Sequence, residues 1–170
     1  MTDAGPPPDD EQVDILDEFG EVSFVSTRED MRARNLWHRS VFVVVTNPSG
    51  DVLVHRRADW KDVWPGLWDF AFGGVLGSGE SWEAAANREL AEEAGVSGEL
   101  AYLGEDLYED DLVRERARIY RTLHEGPFTF PDGEVVETAW VSLDNLQDWT
   151  AAHEICPDSK TLVMPRLDAP

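Results

Sequence analysis

Residues 74–96 of the chain read GVLGSGESWEAAANRELAEEAGV. A glycine-rich turn gives way to a run of alanines and glutamates, and this run predicts a helix over residues 81–94. Ser81 is a favoured N-cap residue, and Gly95 stands where a helix commonly ends on glycine. The segment therefore predicts one helix that begins directly after a strand end and a loop.

Three glutamates share one face of this predicted helix. Successive helical residues turn by about 100°, so that Glu89, Glu92 and Glu93 fall within an arc of about 100°. Like charges at these spacings repel each other, and a solvated acidic surface is the usual explanation of such a cluster. A hard divalent cation would relieve the repulsion, because Mg²⁺ prefers oxygen ligands and leaves room for substrate phosphates.

The residues around the glutamates favour a metal site over a solvated surface. Arg88 can pair with Glu80 or with a neighbouring carboxylate and thereby fix its orientation. Gly74, at the end of a predicted strand, allows the backbone to approach a cation closely. Residues 84–86 are all alanine and allow the helix to pack tightly on a sheet.

The segment resembles the Nudix box, Gly-x5-Glu-x7-Arg-Glu-U-x-Glu-Glu-x-Gly-U, in which U is an aliphatic residue. The resemblance implies an α/β fold, a Nudix-type α/β/α sandwich with a mixed β-sheet. It also implies hydrolysis of a diphosphate linkage in a nucleoside diphosphate derivative. Every specified position of the box is filled, by Gly74, Glu80, Arg88, Glu89, Leu90, Glu92, Glu93, Gly95 and Val96.

The resemblance also implies roles for residues of the box. Gly74, Glu89, Glu92 and Glu93 would bind the metal ion, Mg²⁺ or Mn²⁺. Glu92, Glu93 and Arg88 would be the catalytic residues, and the resemblance implies that one of the glutamates also acts as general base. The attacking water would be activated by the metal or by that glutamate.

Nudix family members often add an acidic ligand from beyond the box. Glu134 and Glu137 lie in a suitable part of the chain, just before Trp140 and Val141. We take Glu137 as the candidate metal ligand. Its alternative interpretation is a residue that points outward from a half-exposed strand.

Strand signals flank the box on both sides. Residues 40–46 form a nearly continuous β-branched and aromatic run, which is typical of a strand buried on both faces. Further strands are predicted at residues 13–17, 21–26, 51–57, 67–75, 100–108, 114–123 and 137–141, and short helices at residues 144–149 and 159–167.

Three residues outside the box are candidates for substrate binding. Arg56 and Arg57 end a predicted strand, and two guanidinium groups there could neutralise a diphosphate. Trp64, in the sequence Trp-Pro-Gly-Leu-Trp of residues 64–68, could stack on a base. Surface solvation of the arginines and core packing of the tryptophans are the alternatives.

These flanking residues are similar to the isopentenyl-diphosphate isomerase branch of the same superfamily, which also has a histidine like His38. That branch carries a catalytic cysteine and a metal-binding histidine where this chain has Gly, Gly and Val at residues 73–75. Their absence favours hydrolysis over isomerisation. A non-catalytic nucleotide-binding Nudix module is a third interpretation, and the complete set of glutamates argues against it.

Composition limits the partners. The 170 residues suit a single domain, expected at residues 12–168 after a disordered tail at residues 1–11. A net charge of −21 excludes a long nucleic acid, and the expected partner is a small phosphorylated substrate, for which we favour a nucleotide.

The lone Cys156 is expected to be structural. No apolar stretch approaches the ~20 residues of a membrane span, and we expect a cytoplasmic protein. Exposed strand edges would allow a homodimer.

Overall fold

A mixed seven-stranded sheet forms the centre of the computed structural model, which describes residues 10–168. Most of the predicted tail, residues 1–11, lies outside the described residues. Of the tail residues that are described, Glu11 accepts a hydrogen bond through its carbonyl oxygen from the amide of Arg28, at 2.8 Å.

The helices and strands follow one another along the chain with short connections. A separate two-stranded hairpin, β1 and β2, precedes the main sheet. The strands are β1 (Gln12–Leu16), β2 (Val22–Thr27), β3 (Trp37–Thr46), β4 (Val52–Arg57), β5 (Trp68–Asp69), β6 (Phe72–Val75), β7 (Ala101–Glu109), β8 (Arg114–Leu123) and β9 (Val135–Val141), and the helices are α1 (Arg28–Ala33), α2 (Trp82–Ala94) and α3 (Leu146–Ala152).

Strand β3 organises the main sheet. It runs parallel to β8 along its whole length, whereas its pairings with β4 and β6 are antiparallel. The strand order is β5-β4-β3-β8-β7, with β6 beside β3 and β9 beside β4. The prediction of an α/β fold with a mixed sheet is therefore confirmed.

Alternate residues of β3 face two different apolar layers. Val41 and Val43 belong to a core cluster with Leu90 of α2. Phe42 and Val44 belong to a second cluster, which contains Leu162 from the C-terminal segment. Both faces of the strand are covered, which explains its continuous β-branched sequence and gives the three layers of an α/β/α sandwich.

The structure differs from the sequence-based expectation in three places. The strand predicted at residues 67–75 is interrupted after Asp69, so that it forms β5 and β6. Helix α1 was not predicted. The C-terminal helix predicted at residues 159–167 is a π-helical turn, Ser159–Val163, followed by a 3-10 turn, Met164–Arg166.

Three segments of this fold converge beside α2. Strand β6 ends at Val75 and leads into the helix, β4 ends at Arg57 before the tryptophan-rich loop, and residues 132–134 precede β9. The amide of Ala58 donates to the carbonyl of Glu134 at 2.8 Å, which holds two of these segments together. Among the described helices, none is long and apolar enough to cross a membrane.

Candidate active site

Helix α2 begins and ends at the residues that the sequence indicated. The Ser81 hydroxyl accepts a hydrogen bond from the amide of Ala84 at 3.2 Å. Gly95 adopts a left-handed conformation with φ of 68° and donates its amide to the carbonyl of Ala91. These caps fix the length of the helix and hence the position of its glutamates.

Arg88 connects the helix to the loop that precedes it. Its Nε and Nη2 atoms donate to the two carboxylate oxygens of Glu80, at 2.8 and 3.0 Å. Its Nη1 atom donates to Glu89 at 2.7 Å and to Glu92 at 3.1 Å. Nη2 also donates to the carbonyl of Val75 at 3.2 Å. One guanidinium thus orients two carboxylates of α2 and ties them to the end of β6.

Glu93 is the most deeply buried glutamate of the helix. One of its oxygens accepts the amide of Gly73 at 2.9 Å. A second group of acids meets it from the loop before β9: carboxylate oxygens of Glu93, Asp132 and Glu134 all lie within 4.8 Å of one another. Lys61 forms an ion pair with Glu134 at the edge of this cluster.

Burial makes these carboxylates hard to ionise. It raises the pKa of Glu93 well above its ordinary value and that of Glu89 to about 7. Burial likewise raises the pKa of Asp132 to about 6. Although burial also disfavours ionisation of Glu134, its hydrogen bond with Glu93 and the nearby Lys61 hold its pKa below the ordinary value. Positive charge at the cluster would favour the ionised form of its buried members.

The composition and shape of the cluster fit a divalent cation. The side-chain atoms of Glu93, Asp132 and Glu134 that could bind a metal ion are all carboxylate oxygens, the ligands that hard cations such as Mg²⁺ prefer. A Cβ atom added at Gly74 would lie 2.6 Å from Oε1 of Glu89. Any residue other than glycine at position 74 would therefore displace this carboxylate. The backbone at Gly74 therefore approaches the Glu89 carboxylate closely.

An open cavity of about 270 Å³ gives access to this group of acids. Glu89, Glu92 and Glu134 line it. A second cavity, of about 60 Å³, adjoins it and extends towards β8. Both cavities are lined by Arg28, Lys61, Gly73 and Gly74. We call the first the acidic cavity and the second the inner cavity.

The structure separates Glu137 from Glu134. The Glu137 side chain is 58% exposed on β9, and it accepts from Nε of Arg56 at 3.2 Å. Glu134 lies in the cluster with Glu93 instead. Glu137 therefore stands where its alternative interpretation put it, on the outward side of a strand.

Two of the three predicted substrate-binding residues line a cavity, and the third does not. Arg57 and Trp64 line the inner cavity. Arg57 donates to the carbonyl of Val63 at 3.0 Å, and Trp64 packs edge-on against Tyr108 with ring centroids 6.0 Å apart. Arg56 lines neither cavity in the part of the chain that is described, since its guanidinium faces Glu137.

Three polar residues of the site were not identified from the sequence. Asp132 precedes a turn at Gly133, where its carboxylate accepts the amide of Glu134 at 3.0 Å, and an Asp-Gly-Glu turn was the available signal. Lys61 and Arg28 lie far from the box in sequence. Only the tertiary fold brings them to it, and no local pattern marks them.

Comparison with known proteins agrees with this architecture. The model of the NUDIX domain matches residues 36–160. The uncharacterized Nudix hydrolase YfcD of Escherichia coli (strain K12) is 36% identical over 150 residues, covering 88% of this chain and 82% of that protein. The uncharacterized Nudix hydrolase SCO1686 of Streptomyces coelicolor is 46% identical over 107 residues, covering 62% of this chain and 59% of that protein.

Solved structures share the fold at lower sequence identity. DR0079 of Deinococcus radiodurans superposes with a TM-score of 0.78 and 24% identity, covering 92% of this chain and 99% of that one. The NUDIX domain of Shewanella oneidensis NrtR, solved in complex with ADP ribose, has a TM-score of 0.63 and 18% identity, covering 83% of this chain and 96% of that one. The chain thus belongs to the Nudix hydrolases, enzymes that cleave pyrophosphate bonds and generally use divalent metal ions.

Proposed function

We propose that this enzyme cleaves the diphosphate linkage of a small nucleoside diphosphate derivative in the acidic cavity, with Mg²⁺ or Mn²⁺ as cofactor. The observation that carries the proposal is the meeting of Glu93 with Asp132 and Glu134 beside Glu89. Isomerisation is not favoured, since the relatives are named as hydrolases.

The carboxylates of Glu89, Glu93 and Glu134 would hold the metal ion. Asp132 lies in the same cluster, and Glu92 lines the cavity from the exposed side of α2. When bound, the ion supplies positive charge to the phosphate oxygens and lowers the pKa of water. Arg88 would act as a positioning residue, because its contacts with Glu89 and Glu92 set their orientation.

Hydrolysis also requires a group that accepts a proton from the attacking water. Glu92 is better placed for this role than Glu93, because Glu92 lines the acidic cavity while Glu93 is buried against Gly73. Arg88 donates to Glu92 at 3.1 Å and would keep its carboxylate directed along the helix face.

Cationic side chains would bind the phosphates. Arg28 and Lys61 line both cavities, at the point where a diphosphate would pass from one to the other. Arg57 lies deeper, in the wall of the inner cavity with Trp64. These groups oppose the overall charge of −21 at the site and would let an anionic substrate enter.

The domain bounds, the cellular location and the oligomeric state also belong to this proposal. We propose residues 12–168 as one catalytic domain that acts on a small nucleotide. The cytoplasmic location and a homodimer stay predictions from the sequence.

A matched pair of variants tests the site. We expect Glu134→Gln to lower kcat/KM by about 100-fold or more, because it removes a charged ligand from the buried cluster. Glu137→Gln should stay within a few-fold of wild type, since Glu137 contacts Arg56 outside the cavities. Both are measured by formation of the nucleoside monophosphate over a panel of nucleoside diphosphate derivatives with Mg²⁺ and Mn²⁺.

The same assay examines the metal and the glutamates of the helix. Activity should vanish with excess chelator and return with Mn²⁺, and Glu93→Gln should lower turnover by orders of magnitude. Full activity in the presence of chelator, or a larger loss in Glu137→Gln than in Glu134→Gln, would contradict the proposed site.

A further inference from the structure

We propose that the inner cavity selects substrates by a hydrogen-bond donor, an amino or hydroxyl group on the moiety attached to the diphosphate, which Glu115 and Asp158 recognise. This inference rests on the proposed function and names the class of substrate for the same site. It concerns residues far from the Nudix box, on β8 and in the C-terminal segment.

The inner cavity is placed to receive the group attached to the phosphates. It shares Arg28, Lys61, Gly73 and Gly74 with the acidic cavity, so the two cavities adjoin. A diphosphate held beside the carboxylates of α2 would therefore direct its attached moiety past these residues towards β8. Trp64 stands in the wall of this space.

Several carboxyl groups line the inner cavity. Asp69, Glu115 and Asp158 all line it and are all buried. Asp69 and Asp158 each have a local structural task, because Asp69 accepts the amide of Ala71 and Asp158 accepts the amide of Ser159. Glu115 interacts with Ser40 and Asp158, but one of its two carboxylate oxygens is left unpaired by the described residues.

Glu115 presents an acceptor that the protein leaves unused. The residue is only 3% exposed, and its Oε1 atom has no hydrogen-bond partner among residues 10–168. A buried acceptor without a donor is unfavourable, and nearly all such atoms in native proteins are satisfied. A donor on a bound ligand would satisfy this one.

The charge around Glu115 agrees with this role. Burial raises the pKa of Glu115 and raises that of Asp158 well above its ordinary value, and the mutual repulsion of the two acids raises the pKa of Asp158 further. Each of the two neighbouring carboxyls is therefore harder to ionise than an exposed acid. Arg32, itself paired with Asp62 at 3.0 Å, also lines the inner cavity, and its positive charge opposes the effect of burial on the pKa of Glu115.

The preference follows from the polarity of the unpaired Oε1 atom of Glu115. An amino or hydroxyl group can donate to Oε1 of Glu115, whereas a carbonyl oxygen at the same place would face another oxygen lone pair. A base that bears an amino group should thus be favoured over its oxo counterpart of the same size. A sugar hydroxyl is the other source of the same donor.

Matched ligands test the inference by binding alone. We would measure dissociation constants with Mg²⁺ for the α,β-methylene analogues of cytidine and uridine diphosphate, and of adenosine and inosine diphosphate, which differ by an amino or an oxo group. Ribose and 2′-deoxyribose forms of the adenosine analogue test the hydroxyl source. We expect the donor-bearing member of at least one pair to bind about 10-fold or more tightly.

Variants connect that preference to the cavity. Glu115→Gln should reduce the ratio within the preferred pair to about one or reverse it, since the glutamine can itself donate. Asp158→Asn is a second variant in case Glu115→Gln does not fold. Glu109→Gln is the control, because Glu109 is a half-exposed residue of β7 that pairs with Arg114 and lines neither cavity among the described residues.

Equal binding within every pair by the wild-type enzyme would overturn the inference, and so would a preference that both cavity variants retain. If these results accompany metal-dependent turnover, the proposed function stands and only the inference fails. If the ligand preference depends on Glu115 but no diphosphate is hydrolysed, the recognition stands and the proposed function fails.

Discussion

The carboxylate of Glu89 can approach the end of β6 only because residue 74 lacks a side chain. We expect Gly74→Ala to lower the affinity for Mn²⁺ by about 10-fold or more, because the new Cβ would lie 2.6 Å from Oε1 of Glu89 and displace it. Isothermal titration of the metal-free protein with Mn²⁺ measures this loss directly.

Gly77→Ala is the matched control for that variant. A Cβ at Gly77 would meet Glu80 at 3.6 Å, which is ordinary van der Waals contact in the same loop. Its Mn²⁺ affinity should therefore stay close to that of wild type. Equal affinities for Gly74→Ala and Gly77→Ala would show that the close approach at Gly74 has no part in metal binding.

His38 gives the stability of the protein a dependence on pH. Burial, helped by the nearby charge of Arg32, lowers the pKa of His38 to about 3. Above pH 6.5 the ring is neutral in both states and contributes nothing. As the pH falls below 6.5, the unfolded chain takes up a proton that the folded protein excludes, so stability is lost by about 1.4 kcal/mol for each pH unit.

The variant His38→Asn isolates this contribution. Between pH 7.5 and 5, wild type should lose about 2 kcal/mol of unfolding free energy relative to the variant, as measured by urea denaturation at each pH. The comparison cancels the titration of the acidic groups that both proteins share. Parallel curves for the two proteins would mean that His38 titrates normally when folded.

Residues of the site could be predicted from the sequence where they share one helix. The spacing of Glu89 and Glu93 places both on one face of α2, and helical geometry alone decides this. Which of Glu134 and Glu137 faces the site depends instead on where strand β9 starts, because a shift of one residue moves a side chain to the other face of a strand. Lys61 reaches the site through tertiary contacts, which no spacing rule describes.

At the scale of elements, the N-cap of α2 sets where the glutamate-bearing helix begins. We expect Ser81→Ala to lower the unfolding free energy by about 1 kcal/mol, because the amide of Ala84 loses its side-chain acceptor. Ser81→Asp should retain the wild-type stability, since its carboxylate can accept the same hydrogen bond. Denaturant unfolding compares the three proteins, and an equal loss in both variants would exclude capping as the cause.

The ends of α2 could be predicted because the contacts that stabilise them are local in sequence. Ser81 and Gly95 act through contacts within four residues of themselves, and such signals are present in the sequence. The interruption between β5 and β6 is different, because the amide of Phe70 donates to the hydroxyl of Ser159, 89 residues away. A contact of that range overrides the local strand preference.

The short helix α1 was not predicted, although part of its signal is local in sequence. Thr27 caps it by accepting the amide of Asp30, and the helix then runs for only six residues. A single turn and a half is too short for hydrophobic periodicity to stand out. Its cap is a local signal, yet its existence depends on burial of Met31 against the N-terminal hairpin.

At the scale of the whole molecule, the net charge of −21 and the acidic cluster act in the same direction. Both disfavour the folded chain when no cation is bound, since folding brings carboxylates together. Within the cluster, a raised pKa on Glu93 and the ion pair of Lys61 with Glu134 relieve part of this repulsion. A divalent cation that binds only the folded protein would relieve more of it.

Metal binding should therefore stabilise the fold by mass action. At a free Mn²⁺ concentration about 100 times its dissociation constant, we expect about 2.7 kcal/mol of added stability, seen as a higher midpoint of thermal unfolding that chelator reverses. NaCl at equal ionic strength is the control, because it screens the net charge without filling the cluster. Glu93→Gln should lose most of the shift, since Glu93 joins α2 to Asp132 and Glu134. A shift of equal size in NaCl, or one that Glu93→Gln retains in full, would mean that Mn²⁺ acts on the charged surface and not at this cluster.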